Sequence, residues 1–213
     1  MAKVAKNIVR QRPQEITAAC RQLYGIMSFR EITIKEISAR TSLSRPSIYN
    51  YFQTKEEIFL AVLQEEYDLL ADGLETVIQT NETLGINELA SILGSCFDER
   101  SVMLRLLCMN LYEIEDNSRL ERLAEFKRHY FSAVGKLDEL LMKFIPSLDE
   151  EGRTRFLMEF LPFLNGVYPY AHPTDKQSRA MEIAGMRFRN GTITAMVSSC
   201  AADLLEAAAG MRK

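Results

Sequence analysis

The sequence predicts an all-α fold, and three observations carry this prediction. Apolar residues recur at positions i, i+3, i+4 and i+7 over most of the 213 residues, which is the spacing of one helix face. Helix start signals stand at the boundaries of these stretches. No period-two run of β-branched residues, the pattern of a half-buried strand, competes with them.

Four segments show the helical periodicity most clearly. They cover residues 16–23, 59–77, 119–145 and 193–208. Pro146 follows the third segment directly and ends it, because proline lacks the amide hydrogen that a helix interior needs. No Pro-, Gly- or Ser-rich linker precedes the second segment, so we expect one helix from about residue 55 to join two domains directly.

Capping boxes indicate where further helices begin. In this motif a Ser or Thr hydroxyl accepts a hydrogen bond from the amide three residues on, and a Glu or Gln there reaches back. The pattern predicts helices beginning near residues 34, 55, 119, 148 and 175. The five pairs are Thr33 with Glu36, Thr54 with Glu57, Ser118 with Glu121, Ser147 with Glu150, and Thr174 with Gln177.

Charge is divided unevenly along the chain and suggests two domains, residues 1–55 and residues 56–213. The first carries ten Lys or Arg against three acids, a net charge of +7, and the second a net charge of -10. A basic module favours a polyanionic partner, and an acidic module would be repelled by one. A solvated basic face without a partner is the alternative.

Several classes of protein are excluded by composition. With 47% apolar and 26% charged residues the chain is neither disordered nor of low complexity. No stretch reaches the length of a spanning helix and the start is polar, so we expect a cytoplasmic protein without a membrane partner. Four separated cysteines and two histidines predict buried thiols, no metal site and no cofactor. No nucleophile with a base and no phosphate loop is present, so we expect no catalytic residues.

Residues 33–58 have the layout of a helix-turn-helix. We expect a helix over 34–41, a tight turn, a second short helix capped by Ser44 with Pro46 in its first turn, and a third helix from 55. In such a motif the second helix enters the major groove of DNA. Four apolar residues can form its small core and four others remain on the outer face. The core set is Ile37, Leu43, Ile48 and Phe52, and the outer set is Arg45, Ser47, Asn50 and Tyr51.

This segment closely resembles the TetR family of bacterial transcriptional regulators over about 45 residues, if Leu23 and Phe29 are included. Ser28 and Ser42 depart from the family pattern, which usually has Gly at these loop positions. Serine adopts a positive φ only at a modest cost, so the loops could be strained. The matching residues are Thr33, Ile37, Leu43, Ser44, Ser47, Ile48, Tyr49, Tyr51, Phe52, Thr54, Lys55, Glu56, Glu57 and Ile58.

The resemblance implies roles for single residues. Thr33, Tyr49 and Lys55 would face DNA phosphates, although Tyr49 could instead pack in the core. Arg45 is the first candidate for reading a base, because a guanidinium fork fits guanine O6 and N7, and a phosphate contact is its alternative. The recognition surface would consist of Ser44, Arg45, Pro46, Ser47, Asn50 and Tyr51.

The resemblance also implies a homodimer that binds a palindromic operator and is released by a small apolar or aromatic effector. The last helix would take part in pairing, since small residues along it permit close approach. A second interpretation treats the aromatic and Met-rich helices as core alone. Candidates for effector contact are Phe97, Met103, Leu107, Asn110, Tyr112, Glu113, Tyr130, Asn165 and Tyr168.

The function predicted on these grounds is a one-component transcriptional regulator, most simply a repressor, and not an enzyme. In two alternatives the chain has the same fold but does not bind DNA. One is a helical ligand-binding or enzymatic bundle with a non-functional helix-turn-helix, and the other is a protein-interaction module. Retention on DNA that falls steeply with salt would separate the regulator from both.

Overall fold

The computed structural model describes residues 2–186 and 191–210, with side chains from Arg12 onward. The side chains of Lys3, Lys6 and Arg10, counted in the basic excess above, lie outside the described residues. Every regular element in the described part is a helix, which confirms the all-α prediction. The α-helices are α1 (Ala2–Tyr24), α2 (Ile34–Ser38), α3 (Arg45–Tyr49), α4 (Lys55–Thr80), α5 (Ile86–Asp98), α6 (Ser101–Leu107), α7 (Leu120–Phe144), α8 (Glu150–Ala171), α9 (Asp175–Ile183) and α10 (Ile193–Ala208), with a π-helix at Asn110–Glu115.

The predicted helix starts agree with the structure within two residues. Helices α2, α4 and α9 begin at 34, 55 and 175, as the capping pattern indicated. Thr174 and Gln177 form the reciprocal capping box, with the Thr174 amide 2.8 Å from the Gln177 side-chain oxygen. Thr54 caps α4 by accepting from the Glu57 amide at 3.1 Å.

Two predicted caps are wrong, and α2 is shorter than predicted. Ser118 is not the N-cap of α7, because that helix begins at Leu120 and Arg119 directly precedes it; the Ser118 hydroxyl instead donates to the Ile114 carbonyl at 2.7 Å. Asp149, not Ser147, caps α8, because its carboxylate accepts from the Gly152 amide at 2.8 Å. Helix α2 ends at Ser38 instead of 41, since Arg40 and Thr41 bond three residues back in a turn.

The chain forms two compact units. Unit 1 comprises Met1–Glu66 and Met109–Tyr130, and unit 2 comprises Tyr67–Cys108 and Phe131–Lys213. In unit 1 the Phe59 ring lies at the centre of the core, 5.2 Å from the Tyr24 ring centroid and 4.7 Å from that of Phe29. Segment 109–130 thus packs with the helix-turn-helix, although it lies far from it in sequence. The two predicted domains, divided after residue 55, therefore do not coincide with these units, because unit 1 also includes residues 56–66 and 109–130.

The core of unit 2 is aromatic and depends on a close approach between two helices. Phe160 packs edge-on against Phe97 at 5.7 Å and stacks on Phe156 at 5.0 Å. Helix α5 crosses α10 at Gly94, where a Cβ atom would stand 2.6 Å from the Thr194 carbonyl oxygen and clash with the Ser198 hydroxyl. Glycine is therefore required at position 94 by space and not by backbone conformation.

Replacing Gly94 by alanine should destabilise unit 2, because the added methyl group forces α5 and α10 apart. We expect a loss of about 1–3 kcal/mol in the free energy of unfolding, measured by urea denaturation. Gly166→Ala is the matched control, since nothing lies within 4 Å of its Cβ position. That variant should be neutral or slightly stabilised, and equal stability of both variants would contradict the close crossing.

Candidate DNA-binding site

The helix-turn-helix of unit 1 is formed by α2 and α3, and both helices begin at a hydroxyl cap. Thr33 accepts from the Lys35 amide at 3.2 Å, and its hydroxyl also bonds the Glu36 carboxylate. Ser44 accepts from the Ser47 amide at 3.4 Å, and the two serine hydroxyls lie 2.9 Å apart. These caps matter because each helix has only five residues and cannot hold its ends by length.

The predicted small core of the motif is confirmed. Ile37 and Ile48 are fully buried, and Leu43 and Phe52 are buried beside them. Because these residues come from α2, the turn, α3 and the residues after it, their burial fixes α3 against the rest of unit 1. The outer surface of α3 is then determined by what remains outside this core.

The predicted recognition surface lies on that outer side. Tyr49 is 53% exposed, so it does not belong to the core. Ser47 and Tyr51 are half-buried, while the other predicted residues of this surface are exposed, namely Ser44, Arg45, Pro46 and Asn50.

A shallow cleft of about 360 Å³ brings four of the predicted contact residues together. Thr33, Arg45, Tyr49 and Lys55 line it, whereas the remaining predicted residues lie on α3 or directly beside its ends, outside the cleft. Five other lining residues were not predicted to contact DNA. Lys35 was counted only in the basic excess, and Thr54 and Glu56 were noted only as a helix cap or as matches to the family pattern. No pattern distinguished Ile34 and Gln53.

Lys55 has a structural role besides its charge. Its ammonium donates to the Phe29 carbonyl at 2.8 Å and lies 4.3 Å from the centre of the Phe29 ring. This contact ties the loop before α2 to the first turn of α4. A phosphate contact by Lys55 would therefore use the donors that the ammonium has left.

The two serines that replace the usual glycines introduce no strain. No residue other than glycine has a positive φ in the part of the chain that the structure describes, so neither loop needs the left-handed conformation. The Ser28 amide and hydroxyl donate to Glu31 at 2.9 and 2.7 Å. The Ser42 hydroxyl donates to Glu15 at 3.1 Å, and the bonds from Ser42 hold the pKa of that carboxyl below its ordinary value. The expected cost of serine is thus absent.

An ion pair with a buried carboxylate supports the start of α4 within unit 1. The Glu57 side chain has no exposed surface and accepts from Arg119 Nε at 2.5 Å and Nη2 at 2.8 Å. It also accepts from the Gln53 amide at 2.7 Å. Burial would raise the pKa of Glu57, but the bonds from Arg119 and Gln53 outweigh it and hold the pKa below its ordinary value. Glu57 is therefore ionised at neutral pH, and the pair is a charged one.

Five predicted effector residues lie in unit 2. Phe97 and Met103 are almost completely buried and belong to the apolar core. Leu107 and Tyr168 are half-buried, with the Tyr168 ring 4.7 Å from that of His172, and Asn165 is exposed. Phe97 and Met103 are therefore core residues in this structure, as the second interpretation of this region expected.

The other four predicted effector residues lie in unit 1. Asn110 donates to the buried Glu115 carboxylate at 2.6 Å, and that carboxylate pairs with Lys127 at 2.7 Å. Burial, and secondarily the charge of Glu115, raises the pKa of Tyr130. Asn110 is thus bonded to a buried carboxylate, whereas Tyr112 is 85% exposed and Glu113 is exposed as well.

The described residues lack two further kinds of feature. They contain no group of His, Cys, Asp and Glu that could hold a metal ion. Within them no helix has the length and apolarity that crossing a membrane requires. The prediction of buried thiols is correct for Cys20, whose pKa burial raises to about 12, but Cys108 is exposed.

The fold and the site together define a class of protein, the helix-turn-helix regulators with a second helical domain. Residues 16–62 match the family described as "Bacterial regulatory proteins, tetR family", and residues 64–206 match "Tetracyclin repressor-like, C-terminal domain". The chain belongs to the TetR family of transcriptional regulators. Family membership places it among transcription factors.

Two characterised proteins are similar to parts of the chain. The chain is 29% identical over 70 residues to the HTH-type transcriptional activator FasR of Mycolicibacterium smegmatis, covering 33% of this chain and 32% of that protein. It is 24% identical over 159 residues to the nucleoid occlusion factor SlmA of Haemophilus influenzae, covering 71% of this chain and 68% of that one. The match to FasR thus spans about a third of its length.

Two solved structures share the fold. The fatty acid degradation regulator FadR from Bacillus halodurans superposes with a TM-score of 0.58 at 18% identity, covering 91% of this chain and 94% of its own. FadR from Bacillus subtilis in complex with stearoyl-CoA gives 0.56 at 17% identity, covering 94% and 99%. At these identities the likeness establishes the all-helical architecture.

Proposed function

We propose that this regulator binds a palindromic operator as a homodimer, acts as a repressor in the cytoplasm, and is released by an apolar or aromatic small molecule. The observation that carries the DNA-binding part is the exposed recognition surface on α3 beside the cleft of Arg45, Tyr49, Lys35 and Lys55. A net charge of +7 over residues 1–55 favours attraction to a polyanion at long range.

The proposed contacts divide into two kinds. Arg45 stands in the first turn of α3, where a side chain can reach a base edge in the major groove. Thr33, Tyr49 and Lys55 line the cleft beside it and are proposed to face the DNA backbone. The rest of the surface, Ser44, Pro46, Ser47, Asn50 and Tyr51, would fit the groove around Arg45.

The experiment that tests DNA binding is selection of duplexes from a randomised library, followed by titration of the selected duplex at several salt concentrations. A sequence-specific regulator enriches one palindromic motif, and its affinity falls steeply with salt. A reporter behind the selected motif separates repression from activation, which is relevant because FasR is named an activator. Failure to enrich any motif would favour the two alternatives without DNA.

The homodimer is supported by an open groove of about 570 Å³ between the outer sides of α8 and α10. Ala195, Met196, Ser199 and Leu204 line it from α10, and Phe163 lines it from α8. Not all small residues of α10 are available for pairing, because Ser198 packs against Gly94 of α5 inside unit 2. Ala195 and Ser199 remain exposed and would let a second copy approach closely.

The effector is proposed to bind among the helices of residues 85–170. FadR from Bacillus subtilis, which shares the fold, was solved with stearoyl-CoA, so we propose a long-chain acyl compound as the first probe. An acyl chain needs an apolar, concave lining. Entry at Phe97 and Met103 would require the buried side chains around them to move, and such a movement can couple binding to a second conformation.

Replacing Arg45 and Lys55 by alanine should have different consequences for DNA binding. Arg45→Ala should cost about 1–3 kcal/mol on the selected operator, with less effect on a scrambled duplex, because a base contact depends on sequence. Lys55→Ala should weaken both duplexes and lower the salt slope by about one. Titrations of both duplexes measure these effects.

Lys55→Ala also removes the bond to the Phe29 carbonyl, so its melting temperature must be measured alongside. Lys176→Ala, an exposed lysine of α9 in unit 2, is the control for loss of one positive charge and should leave both affinities unchanged. Equal losses on operator and scrambled DNA for Arg45→Ala would make that residue a phosphate contact.

Ser199→Arg should break the proposed homodimer, because it places a long side chain in the groove that the second copy would cover, where the small Ser199 permits close approach. We expect the dissociation constant of the dimer to rise at least about tenfold, measured by analytical ultracentrifugation. Ser91→Arg, on an exposed position of α5, is the matched control and should remain dimeric. A wild-type chain that is strictly monomeric at micromolar concentration would refute the homodimer.

Stearoyl-CoA should lower operator affinity, with coenzyme A alone as the control without an acyl chain. A typical coupling between two sites predicts a change of about 5–150-fold in the operator dissociation constant. The measurement is an operator titration with and without saturating ligand. Tight binding of stearoyl-CoA that leaves operator affinity unchanged would contradict the release mechanism.

A further inference from the structure

Three separate contacts join segment 117–122 to the residues that follow the recognition helix, all within unit 1. Arg119 holds Glu57 through two hydrogen bonds. Arg122 Nη2 donates to the Tyr51 carbonyl at 3.0 Å, and the Thr54 hydroxyl donates to the Asn117 carbonyl at 3.2 Å. We call residues 117–122 the clamp segment. The clamp segment contacts residues 51, 54 and 57, which lie between the end of α3 and the first turn of α4.

The recognition helix needs such support. Helix α3 has only five residues, so its own hydrogen bonds cannot keep it formed or directed. Its first turn is fixed by the Ser44 cap and by Ile48 in the core. At the other end, Tyr51 is half-buried and its carbonyl accepts from Arg122, whose guanidinium also lies 5.7 Å from the Phe52 ring. The clamp segment thus holds the end of α3 that the cap does not.

The chemistry of the two arginines argues against a direct role on DNA. Arg119 is 40% exposed, but it directs Nε and Nη2 at a carboxylate with no exposed surface, so its charge is already paired. Arg122 divides its donors between the Tyr51 carbonyl and Glu125, at 3.0 and 2.9 Å. A phosphate would have to compete with partners that are already in place. Both side chains are built to hold backbone and a buried acid.

We propose that Arg119 and Arg122 are positioning residues for operator recognition, which act by holding residues 51–57 and with them the reading face of α3. The proposal rests on the proposed DNA-binding function and adds residues that no helix-turn-helix pattern contains. Without the clamp, α3 keeps its cap and its core residues but loses its fixed direction. Sequence-specific contacts then suffer, whereas attraction of the basic surface to any DNA remains.

The test uses the full chain with Arg119→Ala, Arg122→Ala and Glu57→Gln, and with Arg128→Ala as the control. Arg128 is exposed on α7 in the same unit, so its variant removes the same charge without touching the clamp segment. Each variant is titrated against the selected operator duplex and a scrambled duplex at several salt concentrations. Amide hydrogen exchange of residues 45–54 is recorded without DNA, together with the melting temperature.

We expect Arg119→Ala and Arg122→Ala to lose about tenfold in operator affinity, with little change on scrambled DNA and an unchanged salt slope. Glu57→Gln should lose operator affinity as Arg119→Ala does. A variant that carries both Arg119→Ala and Glu57→Gln should lose no more than either single variant, because both substitutions remove the same ion pair. Exchange of the amides of residues 45–54 should speed up while the amides of α5 and α10 keep their protection. Arg128→Ala should match the wild type.

Three results would overturn the proposal. Unchanged operator affinity in Arg119→Ala and Arg122→Ala would show that the clamp does not position α3. A salt slope lowered by about 0.9 would make the arginine a phosphate contact instead. Loss of protection throughout unit 1 in both variants would show a general stabilising role. If Arg119→Ala does not fold, Arg122→Ala decides, since it leaves the Glu57 pair intact.

The same experiment separates this inference from the proposed function. If the wild type enriches no duplex, the proposed function fails, and hydrogen exchange of residues 45–54 still reports whether the arginines hold α3. If the wild type binds its operator and the variants bind equally well, the proposed function stands and the positioning role is wrong.

Discussion

The shortness of the recognition helix α3 is the constraint that explains much of the structure of unit 1. A helix of five residues loses more conformational entropy than its own hydrogen bonds return, so α3 exists only because other parts of the chain hold it. Ile48 anchors it in the core and Ser44 caps its start. The tight packing of Phe59 against Tyr24 and Phe29 in turn gives that core a fixed base.

Buried charge is the second recurrent feature of unit 1. Glu57 pairs with Arg119, Glu66 with Arg21, and Glu115 with Lys127. In each pair the carboxylate is buried while the basic side chain keeps 29–40% of its surface. Loss of the basic partner would leave a buried carboxylate without its counter-charge, so each pair favours one arrangement of its two segments. Unit 2 is organised differently, around the aromatic cluster of Phe97 and Phe160 and the close helix crossing at Gly94.

Some features of the candidate site can be predicted from local sequence patterns, and others cannot. Capping and burial are local or periodic, so the Ser44 cap and the exposed Arg45 could be predicted from the sequence. The sequence predicted that Lys55 faces a DNA phosphate, but it did not predict that the Lys55 ammonium also donates to the carbonyl of Phe29, 26 residues away. A contact of that separation leaves no periodic signal, and the same holds for Arg119, 62 residues from Glu57.

By itself the sequence determined the all-α class, the helix-turn-helix with its buried Ile37, Leu43, Ile48 and Phe52, and the helix starts at 34, 55 and 175. These follow from spacing and capping within a few residues. Only the tertiary structure decided that segment 109–130 packs into unit 1 and that Phe97 and Met103 are core residues. The physical reason is that packing between distant segments depends on three-dimensional fit, which periodicity along one helix does not record.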